Sequence, residues 1–426
     1  MKTIKLKGID EVLYYDVCDN GLPIYMWVND RVNNFYATLS VKYGAVDTEF
    51  KFNEEDDYIK VSDGIAHFLE HVKFNESDDT TAHDYYNKIG ASINAFTTFN
   101  FTSYEVFSST DFNNCVNHLL DYVQKPYFTD ALTEKEKGII CEEVKMGKNN
   151  PGHKLYYGMN NALYFEDKRR IYVTGDEDDV RGITTDELNL VFDTFYHPKN
   201  MFMVITGNFN PDEAVALIKE NQARKEFPEY KNPIVKRVKE PMGVIENYIE
   251  VEANIEIPKV KMGFKMGLDS FGDIDPMLLS VYLSVILRNN FGATSLLREE
   301  LMEKELVTNF GATRELFQDV ITIEINIETK YPTEVINIVK EKLNNLTITK
   351  EEVRRRSKAN IASLINDYDD IEYVNSDLSE QLVQFDRFYN DIYDIYNSLK
   401  LKEAKEIISK MDFSNGTIAV LLPYKK

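Results

Sequence analysis

The residues best suited to chemistry lie in one short segment, where His67, Glu70 and His71 form the sequence H-x-x-E-H. On a helix, side chains four positions apart share a face, so the two imidazoles can hold one ion between them while Glu70 borders the same face. Two imidazoles at this spacing suit Zn²⁺, and a neighbouring carboxylate suits removal of a proton from a water on the metal. This order is the inverted zincin motif. The alternative is a helix face on which two histidines lie four apart by chance.

A catalytic zinc site needs three protein ligands and an open position, so the motif predicts a carboxylate on a second helix. Glu136 and Glu143 in the segment 133–144 are two helical turns apart and face the same way, whereas Glu142 points about 100° away from Glu143. Glu136 also has a structural alternative, because Thr133-x-x-Glu136 has the spacing of a capping box.

These segments must be positioned by a mixed set of helices and strands. Apolar periodicity predicts a helix over 64–74 and a hairpin from strands 91–98 and 102–108. After a proline-rich stretch the same coarse order of strands and helices recurs. The sequence therefore predicts an α+β fold of two similar halves, with an N-terminal domain 1–222, a linker 223–244 and a C-terminal domain 245–426.

Composition restricts the function further. The 426 residues include 49 Lys and Arg against 71 Asp and Glu, and this net charge of −22 argues against a nucleic-acid partner. No apolar run is long enough for insertion into a membrane, and no secretory signal is visible, so a cytoplasmic location is expected. All six histidines lie at or before position 197, so the second half cannot supply a histidine ligand.

Several segments resemble the pitrilysin family of zinc metallopeptidases, in particular its bacterial short-chain branch; the family includes insulin-degrading enzyme and mitochondrial processing peptidase. The matching segments are Gly64–Phe74, Gly90–Thr97, Glu134–Met146 and Phe195–Met201. The resemblance implies that His67, His71 and Glu143 bind Zn²⁺. It implies that Glu70 is the general base and acid, and that Glu136 lies behind the ligands and supports them.

The resemblance also implies how a substrate binds. In this family each half is an antiparallel-rich sheet backed by helices, and two subunits enclose a chamber. The backbone of a peptide substrate pairs with an edge strand, which here corresponds to 91–97 with Asn94 and Ala95 as the matching pair. Asn94 could instead be an ordinary polar residue of a hairpin.

One departure from the family bears on the partner. Many members carry an Arg and a Tyr in the second half that reach the substrate at the zinc, and Met302 and Asn309 stand at those positions. We therefore expect a heterodimer in which this chain brings zinc and a homologous subunit supplies the Arg/Tyr pair. The expected function is cleavage of peptides or unfolded segments, with maturation of a ribosomally made peptide as one role. The alternative is a non-catalytic subunit of a peptide-processing complex.

Overall fold

The computed structural model describes residues 1–424. The strands are β1 (Lys2–Lys5), β2 (Val12–Val17), β3 (Pro23–Val28), β4 (Phe35–Val41), β5 (Glu49–Lys51), β6 (Ile59–Lys60), β7 (Ser92–Thr97), β8 (Thr102–Ser108), β9 (Met201–Gly207), β10 (Ile234–Val235), β11 (Tyr248–Ala253), β12 (Lys259–Gly267), β13 (Asn309–Phe317), β14 (Val320–Glu328) and β15 (Gly416–Pro423). The helices are α1 (Ile65–Lys73), α2 (Ala82–Ile89), α3 (Phe112–Gln124), α4 (Asp130–Asn149), α5 (Pro151–Leu163), α6 (Glu177–Gly182), α7 (Thr185–Phe195), α8 (Pro211–Ala223), α9 (Pro276–Phe291), α10 (Leu296–Glu303), α11 (Pro332–Leu343), α12 (Lys350–Asp367), α13 (Ile371–Phe385), α14 (Ile392–Ser398) and α15 (Leu401–Lys410). Within the described range, none of these helices is both long and apolar enough to cross a bilayer.

The chain folds into two compact units that repeat one arrangement of strands. Through residue 424, the main sheet of the first unit has the strand order β1-β2-β3-β9-β4-β8-β7, and that of the second unit has the order β11-β15-β12-β14-β13. In each sheet one parallel pair, β3 with β9 or β11 with β15, is followed by antiparallel pairs. The last five strands of the first sheet thus match the second sheet strand for strand. The predicted α+β fold with two similar halves is confirmed.

The units are not two consecutive lengths of chain. The first comprises residues 1–145, 171–237 and 364–391, and the second comprises 146–170, 238–363 and the remainder from 392. These boundaries differ from the predicted domains 1–222 and 245–426 around a linker 223–244, although the change at Arg237 and Val238 falls inside that linker. The difference arises because α5 packs on the second sheet and α13 on the first.

Buried polar contacts explain why α13 belongs with the first unit. Asn375 is 1% exposed. Its side chain accepts a hydrogen bond from the Thr38 hydroxyl at 2.8 Å and donates one to the Val204 carbonyl at 3.1 Å. The Thr206 hydroxyl donates to the Ile371 carbonyl at 2.6 Å. Such groups are costly to bury without partners, so these bonds fix the helix on β4 and β9.

The second unit contains a buried ion pair. The Glu240 carboxylate accepts hydrogen bonds from the Lys265 ammonium and from the backbone N–H groups of residues 165–167. Glu240 is 3% exposed and Lys265 is fully buried. Burial raises the pKa of Glu240, but the Lys265 ammonium and the three N–H groups outweigh it and hold that pKa below its usual value.

Removing the carboxylate should therefore destabilise the protein strongly. We expect Glu240→Ala to lower the free energy of unfolding by about 3–5 kcal/mol, because the Lys265 charge stays buried without its partner. Urea unfolding followed by circular dichroism measures this. Glu300→Ala is the control, since its partner Lys304 is exposed and such pairs contribute about 0–1 kcal/mol. Equal unfolding midpoints for the two variants would contradict the prediction.

Candidate metal centre

The predicted motif helix is present as α1, and its start is fixed by two glycines. Gly64 has φ +84°, and a Cβ there would lie 2.3 Å from the Thr174 carbonyl oxygen. Gly175 has φ +69°, and a Cβ there would lie 2.5 Å from the Asp63 carbonyl oxygen. Only glycine permits this backbone conformation at such close approach, so the contact sets where α1 begins and which side chains it presents.

The structure brings together both motif histidines and Glu143. His67 Nε2 lies 3.5 Å from Glu143 Oε1, and His71 Nε2 lies 3.3 Å from Glu143 Oε2. One potential ligand atom from each of the three residues lies within 4.8 Å of the others. In residues 1–424 this is the one group of three or more His, Cys, Asp or Glu side chains with such geometry.

This donor set fits a zinc ion. Ligand atoms about 2.0–2.1 Å from a tetrahedral zinc are about 3.3 Å from one another, close to the separations between the Glu143 oxygens and the two imidazoles. Two imidazole nitrogens and one carboxylate oxygen are the ligand types of catalytic zinc sites. The Glu143 side chain is 40% exposed, so the cluster opens to solvent on that side and leaves room for a fourth ligand.

The electrostatics of the cluster also favour a cation. Burial lowers the pKa of His71, but the carboxylates of Glu136, Glu143 and Glu70 outweigh burial and raise it to about 9. The imidazoles of His67 and His71 hold the pKa of Glu143 well below its usual value. Three carboxylates thus surround two imidazoles, and the excess negative charge is what a divalent ion would neutralise.

Glu136 lies on the other side of His71 from Glu143. Its Oε2 is 3.7 Å from His71 Nδ1, and the residue is 6% exposed. The capping-box alternative is wrong, because α4 begins at Asp130 and places Thr133 inside the helix. There the Thr133 hydroxyl donates to the Thr129 carbonyl at 3.0 Å rather than capping an N-terminus.

Glu70 is buried and has a partner that the sequence analysis missed. The Thr97 hydroxyl donates to Glu70 Oε2 at 2.7 Å. Nothing in the H-x-x-E-H spacing points to Thr97. However, Thr97 and Ala95 are two positions apart on β7 and therefore share a face, and Ala95 packs in the core. This alternation is the signal that could have identified Thr97, provided that a helix is expected to pack on the face that Ala95 and Thr97 share.

Asn94 and Ala95 lie on an edge strand, as predicted. β7 ends the sheet of the first unit and pairs only with β8 within the described residues. Asn94 is exposed and its side chain hydrogen-bonds to Glu105, directly opposite on β8. The Thr98 N–H donates to the Phe101 carbonyl at 2.8 Å in continuation of this register. Hydrogen-bonded and non-hydrogen-bonded pairs alternate along an antiparallel ladder. Because the pair of Thr98 and Phe101 is hydrogen-bonded, the backbone N–H and C=O groups of residues 93, 95 and 97 point away from β8.

Comparison with known protein families gives two matches that together cover most of the chain. The profile described as "Insulinase (Peptidase family M16)" matches residues 53–169, which include the whole cluster. The profile described as "Peptidase M16 inactive domain" matches residues 182–360. The zinc protease YmfH of Bacillus subtilis, named as uncharacterized, is 30% identical over 421 residues, covering 96% of each chain.

Solved structures show the same fold. The crystal structure of an M16-like peptidase from Alicyclobacillus acidocaldarius superposes with a TM-score of 0.90 at 27% identity, covering 99% of this chain and all of the other. Pitrilysin superposes with a TM-score of 0.77 at 17% identity, covering all of this chain and 47% of pitrilysin. The second likeness is one of fold alone.

Proposed function

The chain belongs to peptidase family M16, and on that premise we propose that it is a zinc-dependent endopeptidase that cleaves peptides or unfolded segments. The single observation that carries the proposal is the meeting of His67, His71 and Glu143 within 4.8 Å of one another, with Glu70 on the same helix. Homologues named zinc proteases support the choice of Zn²⁺.

Each residue of the site has its own role in the proposed reaction. His67, His71 and Glu143 hold the ion. A zinc ion held there would lower the pKa of a water and polarise the carbonyl of the peptide bond. Glu70 takes a proton from the attacking water and later donates it to the leaving amine. Glu136 holds the His71 ring in its orientation from the Nδ1 side, as carboxylates commonly do for metal-bound imidazoles.

The substrate binds as an added strand on β7. The backbone groups of Ile93, Ala95 and Thr97 face outward, and no other strand of residues 1–424 pairs with them. Backbone pairing gives affinity that tolerates many sequences, which suits an enzyme that accepts varied peptides. In this arrangement Ala95 binds through its backbone, and Asn94 lines the strand on the face opposite the core.

A second subunit completes the enzyme. Met302, near the end of α10, and Asn309, at the start of β13, both have exposed side chains but offer neither a guanidinium nor a phenol. A homologous partner supplying an Arg and a Tyr would provide the missing donors to the developing oxyanion. The non-catalytic alternative is less favoured, because such a subunit has no need of Glu70 beside a complete ligand set. We place the activity in the cytoplasm, with maturation of a ribosomally made peptide as one role.

The test compares the zinc-loaded chain alone with the chain co-expressed with a homologous subunit that carries the Arg and Tyr. Cleavage of unstructured, fluorescence-quenched peptides is followed, and bound zinc is measured by mass spectrometry. We expect stoichiometric zinc in both samples and efficient cleavage only by the pair. Zinc-free protein without activity in either sample would refute the enzyme, whereas efficient cleavage by a homogeneous monomer would refute the heterodimer alone.

Zinc affinity should depend on pH through His71. In the metal-free protein the pKa of His71 is raised to about 9, so His71 is protonated below that pH and must lose its proton to bind the ion. We expect affinity to rise with pH, by about tenfold per unit at neutral pH, and to level off above pH 9. Calorimetry in buffers of different ionisation enthalpy counts the released proton. An affinity that does not change between pH 6.5 and pH 8.5 would contradict this.

A further inference from the structure

Thr97 connects the edge strand to Glu70. It is the last residue of β7, and its hydroxyl donates to Glu70 Oε2 at 2.7 Å. The Thr102 hydroxyl lies 3.4 Å from that of Thr97 but donates to the Tyr43 carbonyl at 3.0 Å. The Glu70 carboxylate, at 2.7 Å, is a closer and stronger acceptor for the single proton of the Thr97 hydroxyl than the Thr102 oxygen at 3.4 Å.

The backbone groups of Thr97 point towards the open edge of β7 and not towards Glu70. The register of β7 and β8 directs the N–H and C=O groups of Thr97 outward, to the edge where the substrate strand would pair. Thr97 thus contacts Glu70 through its side chain and is placed to contact the peptide through its backbone. Its position is itself fixed by the hairpin, since Thr97 pairs directly with the fully buried Thr102.

We propose that Thr97 is the positioning residue for Glu70. Its hydroxyl occupies Oε2, which leaves Oε1 as the oxygen that accepts the proton of the attacking water. A glutamate side chain has three rotatable bonds, and anchoring one oxygen to a rigid strand limits it to the orientation that proton transfer needs. The anchor also holds Glu70 in fixed register with a peptide bound to β7. This inference rests on the proposed function, because it assigns Glu70 its role in peptide hydrolysis.

The test uses variants that separate the hydroxyl from the rest of the residue. Thr97→Val keeps the shape and the backbone but removes the donor, so we expect kcat to fall about 10- to 100-fold while KM changes less than about twofold. Thr97→Ser restores the donor and should recover kcat to within about threefold of wild type. Thr3→Val is the matched control, since Thr3 is an exposed threonine on β1, at the opposite end of the same sheet from β7, and its change should leave kcat unchanged.

A second measurement does not depend on activity. Crystal structures of wild type and Thr97→Val, each loaded with zinc, report the position of the Glu70 carboxylate. We expect it to be bound to Thr97 in wild type and displaced or spread over several orientations in the variant. The proposal is overturned if Glu70 keeps its position in Thr97→Val, if that variant retains wild-type kcat, or if Thr97→Ser is as slow as Thr97→Val. A wild-type protein without any activity would count against the proposed function, and the crystal structures would still decide the role of Thr97.

Discussion

Replacing Glu70 with glutamine should abolish most of the peptidase activity while leaving the metal in place. The amide keeps the size of the side chain but cannot accept the proton of the attacking water. General acid–base catalysis contributes typically about 10²- to 10⁴-fold, so we expect kcat to fall by that factor, equivalent to about 3–5 kcal/mol. Zinc content should be unchanged, because Glu70 is not one of the three clustered ligand residues. Peptide cleavage and metal analysis on the same sample measure both effects.

The matched control for this change is Glu142→Gln. Glu142 is an exposed glutamate of α4 whose carboxylate pairs with Lys145 at 2.6 Å, away from the cluster. The Glu142→Gln variant should cleave peptides at the wild-type rate. Wild-type turnover by Glu70→Gln would show that Glu70 is not the general base. Loss of zinc from that variant would show that Glu70 contributes to binding the metal.

Replacing Glu143 with glutamine should strongly weaken the binding of zinc. The carboxylate is the one anionic donor of the cluster, and it lies 3.3–3.5 Å from both imidazole nitrogens. Structural zinc sites with four ligands bind with about 10–16 kcal/mol, so losing one ligand should weaken binding by on the order of 10²- to 10³-fold. Competition with a chromophoric chelator measures the affinity. Because zinc binding stabilises the folded protein, the rise in the thermal unfolding midpoint on adding zinc should also require a correspondingly higher zinc concentration.

Two controls make this result specific. Glu142→Gln changes the neighbouring residue of the same helix and should retain full affinity. Glu136→Gln should have an intermediate effect, since partners that orient a ligand typically contribute about 10- to 100-fold to affinity. An affinity for Glu143→Gln equal to that of wild type would place the third ligand elsewhere.

The sequence determined the local features of the site. Helix geometry alone places His67 and His71 on one face of a helix, and a separation of two turns places Glu136 and Glu143 on one face of another. The turn residues between the predicted strands sufficed to predict the hairpin that forms β7 and β8. These inferences succeed because they depend only on the regular geometry within one helix or one hairpin, and the spacing of residues in the sequence reflects that geometry directly.

Tertiary structure decided what depends on contacts between elements distant in sequence. The start of α4 at Asp130 excluded the capping box and left Glu136 against His71. The packing of α13 on the first sheet, through Asn375, divided the chain differently from two consecutive halves. The bond from Thr97 to Glu70 spans 27 residues and joins a strand to a helix. No periodicity encodes such a pair, because its geometry is set by how two elements pack and not by the sequence of either.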